Sequence, residues 1–167
     1  MTAFALPDSA HPVMRDAHAY WHGIAPAAGL LPGRQHVDPT AIPRLLPHVW
    51  LMEVHPPAPG GQIPRFRFRL VGSHVDLGFG EAKTGRWLDE FEPEFNSDAA
   101  MNGAWVACVR HATPAYRRGR PRFRFNHNAV ELERMILPLA ANGHDVDMLF
   151  GTTIFYDERG EVLQEML

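Results

Sequence analysis

Apolar positions along this chain recur with two periods, and the switch between them marks the elements. Val13, Ala17, Tyr20, Trp21 and Ile24 follow the i, i+4, i+7, i+8, i+11 spacing of one helix face, which predicts a helix from Pro12 to His22 that Gly23 can stop. Asp38 before Pro39 is an N-cap and first-turn pair, so a short helix is expected through Ala41, Ile42 and Leu45, ended by Pro47. A strand should follow from His48 to Val54. Four prolines with Gly60 and Gly61 then read as a loop. Arg65, Arg67 and Arg69 alternate with Phe66, Phe68 and Leu70, the period of two that puts arginines in water and the apolar set on a core. Residues 76–96 are broken by Gly78, Gly80, Gly85 and Pro93 and should form small helical turns. Ser97 or Asp98 can cap a helix through Ala100, Met101, Ala104, Trp105, Cys108 and Val109, terminated by Pro114.

The remainder reads as an antiparallel meander. A turn at His127 and Asn128 would set Arg124 against Glu131 and Arg122 against Glu133, two opposite-charge pairs on one face. Asn142-Gly143 is a strong hairpin signal; a type I′ turn there sets Leu139 against Val146, Leu137 against Met148 and Met135 against Phe150. Two strands before the helical middle and three after it give an α+β fold: one five-stranded antiparallel sheet with helices on one face. Residues 1–34 are expected to form a helical extension and 35–167 the domain.

Composition narrows the classes of function. The 167 residues fit one domain, and 46% hydrophobic with 21% charged residues is an ordinary globular balance. A net charge of −3 argues against nucleic acid as a partner. Of the 16 basic residues Lys83 alone is lysine, a lopsided usage that matches the Ala-, Gly- and Pro-rich composition and says little about function by itself. The longest apolar run, Met135 to Ala141, contains Pro138 and is far too short to cross a bilayer. With Cys108 the lone cysteine, and no secretory leader expected, a cytoplasmic location is anticipated.

Several stretches carry a resemblance. Tyr20 and Trp21 at the end of the first helix, then Leu31, Pro32, Arg34, Asp38, Pro39, Ile42, Leu46, Pro47, Leu51 and Glu53, are similar to a group of small stand-alone bacterial PAS proteins once catalogued as a domain of unknown function. Phe68 to Gly72, the Thr84-Gly85-Arg86 step and Leu137-Pro138-Leu139 before Asn142-Gly143 agree. The likeness spans roughly residues 18–155 and implies a PAS-like sheet. It also implies a domain that holds a small molecule, haem or flavin between sheet and helices, or that carries nothing and serves as a dimerisation and signalling module; the expectation is a sensor or adaptor that binds a small apolar or amphipathic ligand or a partner protein. No cofactor is firmly implied.

Candidate chemistry is sparse. The aromatic residues Phe79, Trp87, Phe91 and Trp105 of the helical middle, opposite Met135, Leu137 and Phe150, are the candidate lining of a pocket for a small apolar or amphipathic ligand. His111, at the end of the central helix, is the one weak candidate for a haem ligand. Cys108 lacks the Asn-Cys-Arg setting of a covalent flavin site, and His18 with His22 has helical zinc spacing but no further ligands in sequence. No nucleophile elbow, phosphate loop or dinucleotide fingerprint occurs, so the chain reads as non-enzymatic, with a small α+β enzyme using the same cavity or a haem-binding sensor as the alternatives. The stripe of Val13, Tyr20, Trp21 and Ile24 is wider than one docking surface needs, which points to a homodimer built on the first helix.

Overall fold

A computed structural model describes residues 4–164. The first helix, α1, runs from Pro12 to Gly23; Pro12 fills its first turn and the His11 ring accepts from the Val13 amide. It leads through short 3₁₀ turns to β1 (Val49–His55) and β2 (Arg65–Val71). Then come α2 (Ser73–Phe79), the single turn α3 (Leu88–Phe91) and α4 (Ala99–His111), followed by β3 (Ala115–Gly119), β4 (Glu131–Leu139) and β5 (Met148–Tyr156). The five strands form one antiparallel sheet in the order β2-β1-β5-β4-β3.

The sheet separates two apolar layers. Trp50, Met52, Ile136, Leu149 and Phe155 face α2 to α4, where Val75, Leu88, Phe95, Met101, Trp105 and Cys108 meet them. Their strand neighbours Val49, Leu51, Met135, Leu137 and Phe150 point the other way, onto Met14 and Ala17 of α1. The period of two thus supplies a complete core on each side, and α1 covers the second. Gly151 of β5 has no side chain because the Trp50 indole occupies the place a Cβ would take.

Four local expectations differ from the fold. Asp38 does cap, accepting from the Thr40 amide at 2.9 Å, but the helix closes as 3₁₀ turns at Pro39–Ala41 and Leu46–His48, since Pro43 and Pro47 remove the donors a longer helix needs. Leu51 pairs with Leu70 and Met52 with Phe68, so a bulge at Arg69 turns Leu70 onto the α1 face while Phe66 and Phe68 stay on the other. The strand beside β4 is Ala115–Gly119 rather than residues 120–126: Arg118, not Arg122, lies across from Glu133. Alternation at Arg122-Phe123-Arg124-Phe125 marks a two-sided segment, and here it belongs to a loop whose phenylalanines pack into the α2–α4 layer.

The fourth difference is the last hairpin. Leu139 pairs with Met148, Leu137 with Phe150 and Met135 with Thr152, two residues out from the expected register. Gly143 has φ +84°, but a type I′ turn needs two such residues and Asn142 does not supply the other. Asn142 instead accepts from the amides of His144 and Asp145, at 2.9 and 2.8 Å. The wider loop docks on the segment after α1, with Leu31 donating to Gly143 O and Ala140 to Pro32 O, both at 2.9 Å. A slip of two keeps every side chain on its face, so the layers are unaffected.

Candidate functional site

Between the sheet and α2–α4 lies a cavity lined by Trp50, Phe68, Val75, Phe79, Trp105, Phe123, Phe125, Leu132, Thr153 and Phe155, with Arg117, Arg122 and Arg134 completing the wall. Trp50 and Trp105 stack at 5.1 Å between ring centres, and Trp50 is fixed by donating its Nε1–H to Thr153 Oγ1 at 2.9 Å. Phe125 meets Phe155 at 4.7 Å and Phe79 at 4.8 Å, and Phe123 stacks on Trp105 at 5.8 Å. These contacts nearly fill the cavity: the free space is about 30 Å³, room for about one or two waters.

Phe123 and Phe125 sit on a stretch with no helix or strand, from Arg120 to Val130. That loop is tied down at few points. The Arg124 amide donates to the Glu92 carboxylate, the Asn126 amide donates to Gly78 O at 2.6 Å, and Arg122 donates to Ala100 O. Burial holds the Glu92 carboxyl above its usual range. The cavity wall formed by the loop therefore rests on a handful of hydrogen bonds, whereas the opposite wall is sheet.

The three arginines differ in depth. Arg122 is exposed, Arg117 and Arg134 are half-buried, and Arg134 alone has its Nε sealed from solvent. Arg134 and Arg117 are direct cross-strand partners on β4 and β3, and the Arg134 guanidinium lies 5.3 Å from the centre of the Trp105 ring. Burial first, then Arg117 and Arg122, push the Arg134 pKa down to about 10, and burial with Arg122 lowers that of Arg117. Among the described residues none of the three forms an ion pair.

The structure divides the candidate pocket residues. Phe79 and Trp105 line the cavity, and Phe91 backs it by stacking on Phe68 at 6.0 Å. Trp87 lies outside, beneath Arg65 at 4.0 Å and against His55. Met135, Leu137 and Phe150 belong to the α1 layer, which corrects their expected place opposite Trp105: β4 and β5 present Ile136, Arg134, Thr153 and Phe155 there instead. Sequence reasoning did not assign Trp50, Phe68 or Phe155 to the pocket, although it placed Trp50 in the first strand and Phe68 on the core side of the second, and it missed the convergence of the arginines, which depends on the β3–β4 register.

The remaining candidates sit elsewhere. His111 is exposed at the last turn of α4 and is not part of the cavity wall. Cys108 is fully buried, and desolvation pushes its thiol up to about 12, which leaves no thiolate for chemistry. The rings of His18 and His22 lie 6.5 Å apart, and among the described residues no group of three His, Cys, Asp or Glu could hold a metal. Val13, Tyr20, Trp21 and Ile24 are half-buried against the chain's own sheet, where Trp21 donates to Pro138 O at 2.8 Å and the Tyr20 hydroxyl accepts from the Asp38 amide at 2.8 Å.

An open five-stranded antiparallel sheet with short helices closing an aromatic cavity on one face defines a class of small α+β domains. A family model described as PAS domain matches residues 9–154, and the chain belongs to that family. The match takes in α1 as well as the sheet. Membership makes it a sensory or signalling module in general terms, of a kind that is ordinarily non-enzymatic. No curated protein and no solved structure matches the chain. No helix among the described residues is long and apolar enough to cross a membrane.

Proposed function

We propose that this PAS domain is a non-enzymatic sensor that takes a small amphipathic ligand between its sheet and α2–α4, and signals the change to a partner protein. The observation that carries this reading is the aromatic cavity with one wall made of an irregular loop. Phe123 and Phe125 fill the space that a ligand would take, and they hang on the few hydrogen bonds at Glu92, Gly78 and Ala100. A ligand that replaces the two rings favours the conformation with the loop displaced, and it shifts the population only by its preference for that state. The loop joins the edge strand β3 to β4, so its displacement reaches the edge of the sheet and the surface a partner can read.

The other buried carboxylate cluster supports no catalytic reading. Glu133 already accepts four donors beneath α1, so it has no reach to a substrate. A homodimer on α1 would use the outer edges of Val13, Tyr20, Trp21 and Ile24, since their inner edges pack on the chain's own sheet. Native mass spectrometry of the purified chain, with a visible spectrum, tests the sensor reading. A colourless protein carrying an extra mass that denaturation releases is expected. A chain that flies only at its bare mass, and whose melting temperature no aromatic probe raises, overturns it.

A further inference from the structure

Among the described residues, two of the three buried side-chain nitrogens without a hydrogen-bond partner belong to this one cavity: Arg134 Nε and Trp105 Nε1. Both are donors. An unpartnered buried donor is destabilising, and more so when charged, so natural cores keep few of them. The cavity also sets like charges directly across a strand pair, Arg117 opposite Arg134, an arrangement that is ordinarily destabilising. A third cation, Arg122, stands at the rim, and no carboxylate among the described residues pairs with any of the three. Arginines that do have acidic partners among the described residues include Arg65, which holds Asp89 through two bonds of 2.8 and 2.9 Å, and Arg118, which holds Glu131 at 2.8 Å; what sets Arg134 apart is a solvent-sealed Nε with no partner.

Resting on the sensor reading above, we propose that the cavity selects a small monocarboxylate, its apolar body among the aromatic rings and its carboxylate on Arg134 and Trp105. The head follows from what the wall offers. Every unfilled group is a donor, three of the polar residues are cations, and two donors on adjacent side chains suit the two oxygens of one planar carboxylate. A cationic ligand would face three guanidinium groups, and a neutral one would leave the Arg134 charge uncompensated. The body follows from the rest of the wall, in which Trp50, Phe68, Phe79 and Phe155 offer rings rather than polar groups. Arg117, half-buried, and Arg122, exposed, form a positive approach to the head site at the sealed Arg134 Nε.

Calorimetric titration of the full chain with phenylacetate, phenylacetamide and phenethylamine separates head from body, because the three share a phenyl ring and differ in charge. Phenylacetate should bind at least about tenfold more tightly than phenylacetamide, and phenethylamine should not bind. Arg134→Gln should bring phenylacetate down to the amide's level while leaving the amide within about twofold. If Arg134→Gln fails to fold, Arg122→Gln at the exposed rim should weaken phenylacetate alone, by about two- to threefold, and reduce its salt dependence. An amide that binds as tightly as the acid, or an acid preference that survives both variants, overturns the proposal and leaves the sensor reading standing. Failure of all three probes to bind or to raise the melting temperature overturns both.

Discussion

On the α1 face of the sheet, Arg118 of β3 lies across from Glu133 of β4; one residue earlier, on the other face, Arg117 lies across from Arg134. Glu133 is wholly buried, yet every neighbour answers it: the hydroxyls of Tyr116 and Tyr156 donate at 2.9 and 2.5 Å, the His11 amide at 3.1 Å and Arg118 at 3.3 Å. Arg134 has a Trp105 face and two more arginines. The same two strands therefore show a wholly buried charge satisfied and a half-buried one, with its Nε sealed from solvent, left open. The satisfied one fastens α1 to the sheet. The open one breaks the rule that buried polar groups are paired, and such departures in an otherwise well-paired fold collect where a protein binds something.

Removing the satisfied charge should have the largest effect. Glu133→Ala strands two tyrosine hydroxyls, the His11 amide and Arg118 together, and should cost about 3 kcal/mol in urea unfolding, with α1 loosened first. Both tyrosines carry the mark of this cluster, since burial and the Glu133 contact push the Tyr116 hydroxyl up to about 12 and that of Tyr156 higher still. Ultraviolet titration of the variant should bring both back towards ordinary tyrosine values. Loss of stability no greater than about 1 kcal/mol would show that the cluster is not what holds α1.

A buried neutral acceptor supplies an intermediate case. His74 of α2 accepts from the Phe155 amide at 3.0 Å, and burial, with His48 and His11 nearby, pushes its pKa from 6.5 down to about 4. The unfolded chain takes up the proton at higher pH than the folded one. Stability is therefore unaffected above about 6.5 and falls as pH drops from there towards 4, by a total on the order of 2–3 kcal/mol from this residue. His74→Gln should flatten that part of the pH profile while lowering stability at neutral pH by about 1 kcal/mol for the poorer acceptor. An unchanged acid slope would mean that His74 does not titrate as described.

How far the sequence reveals these two faces can be argued from particular residues. The α1 stripe, the Asp98 cap and the β2 alternation as far as Phe68 are local patterns that survive: α1 spans Pro12–Gly23, and Asp98 accepts from the Ala100 amide at 2.9 Å. The hairpin slip from Val146 to Met148 opposite Leu139 leaves the faces intact because the side-chain period is two. Partners are a different matter. Alternation at Arg122 to Phe125 announces two sides without saying that one side is a sheet, so the charge pairs fell on the wrong arginines. Whether Met135 or Arg134 faces Trp105 depends on which side α1 takes, a long-range choice that no window of sequence contains. The orphaned donors of Arg134 and Trp105 become visible only once β3, β4 and α4 are in place together.

The central claim is that Arg134 is kept at the expense of stability because it awaits an anion, and replacing it with an uncharged side chain of similar length tests this most directly. Arg134→Met keeps a stem to pack on Trp105 and removes the unpaired half-buried charge with its sealed Nε. Urea unfolding of the ligand-free chain should show the variant more stable than its parent, by about 1 kcal/mol. A loss of about 2 kcal/mol or more, in the same direction as Glu133→Ala, would mean that Arg134 is a structural residue whose partners lie within the fold, and would contradict the account.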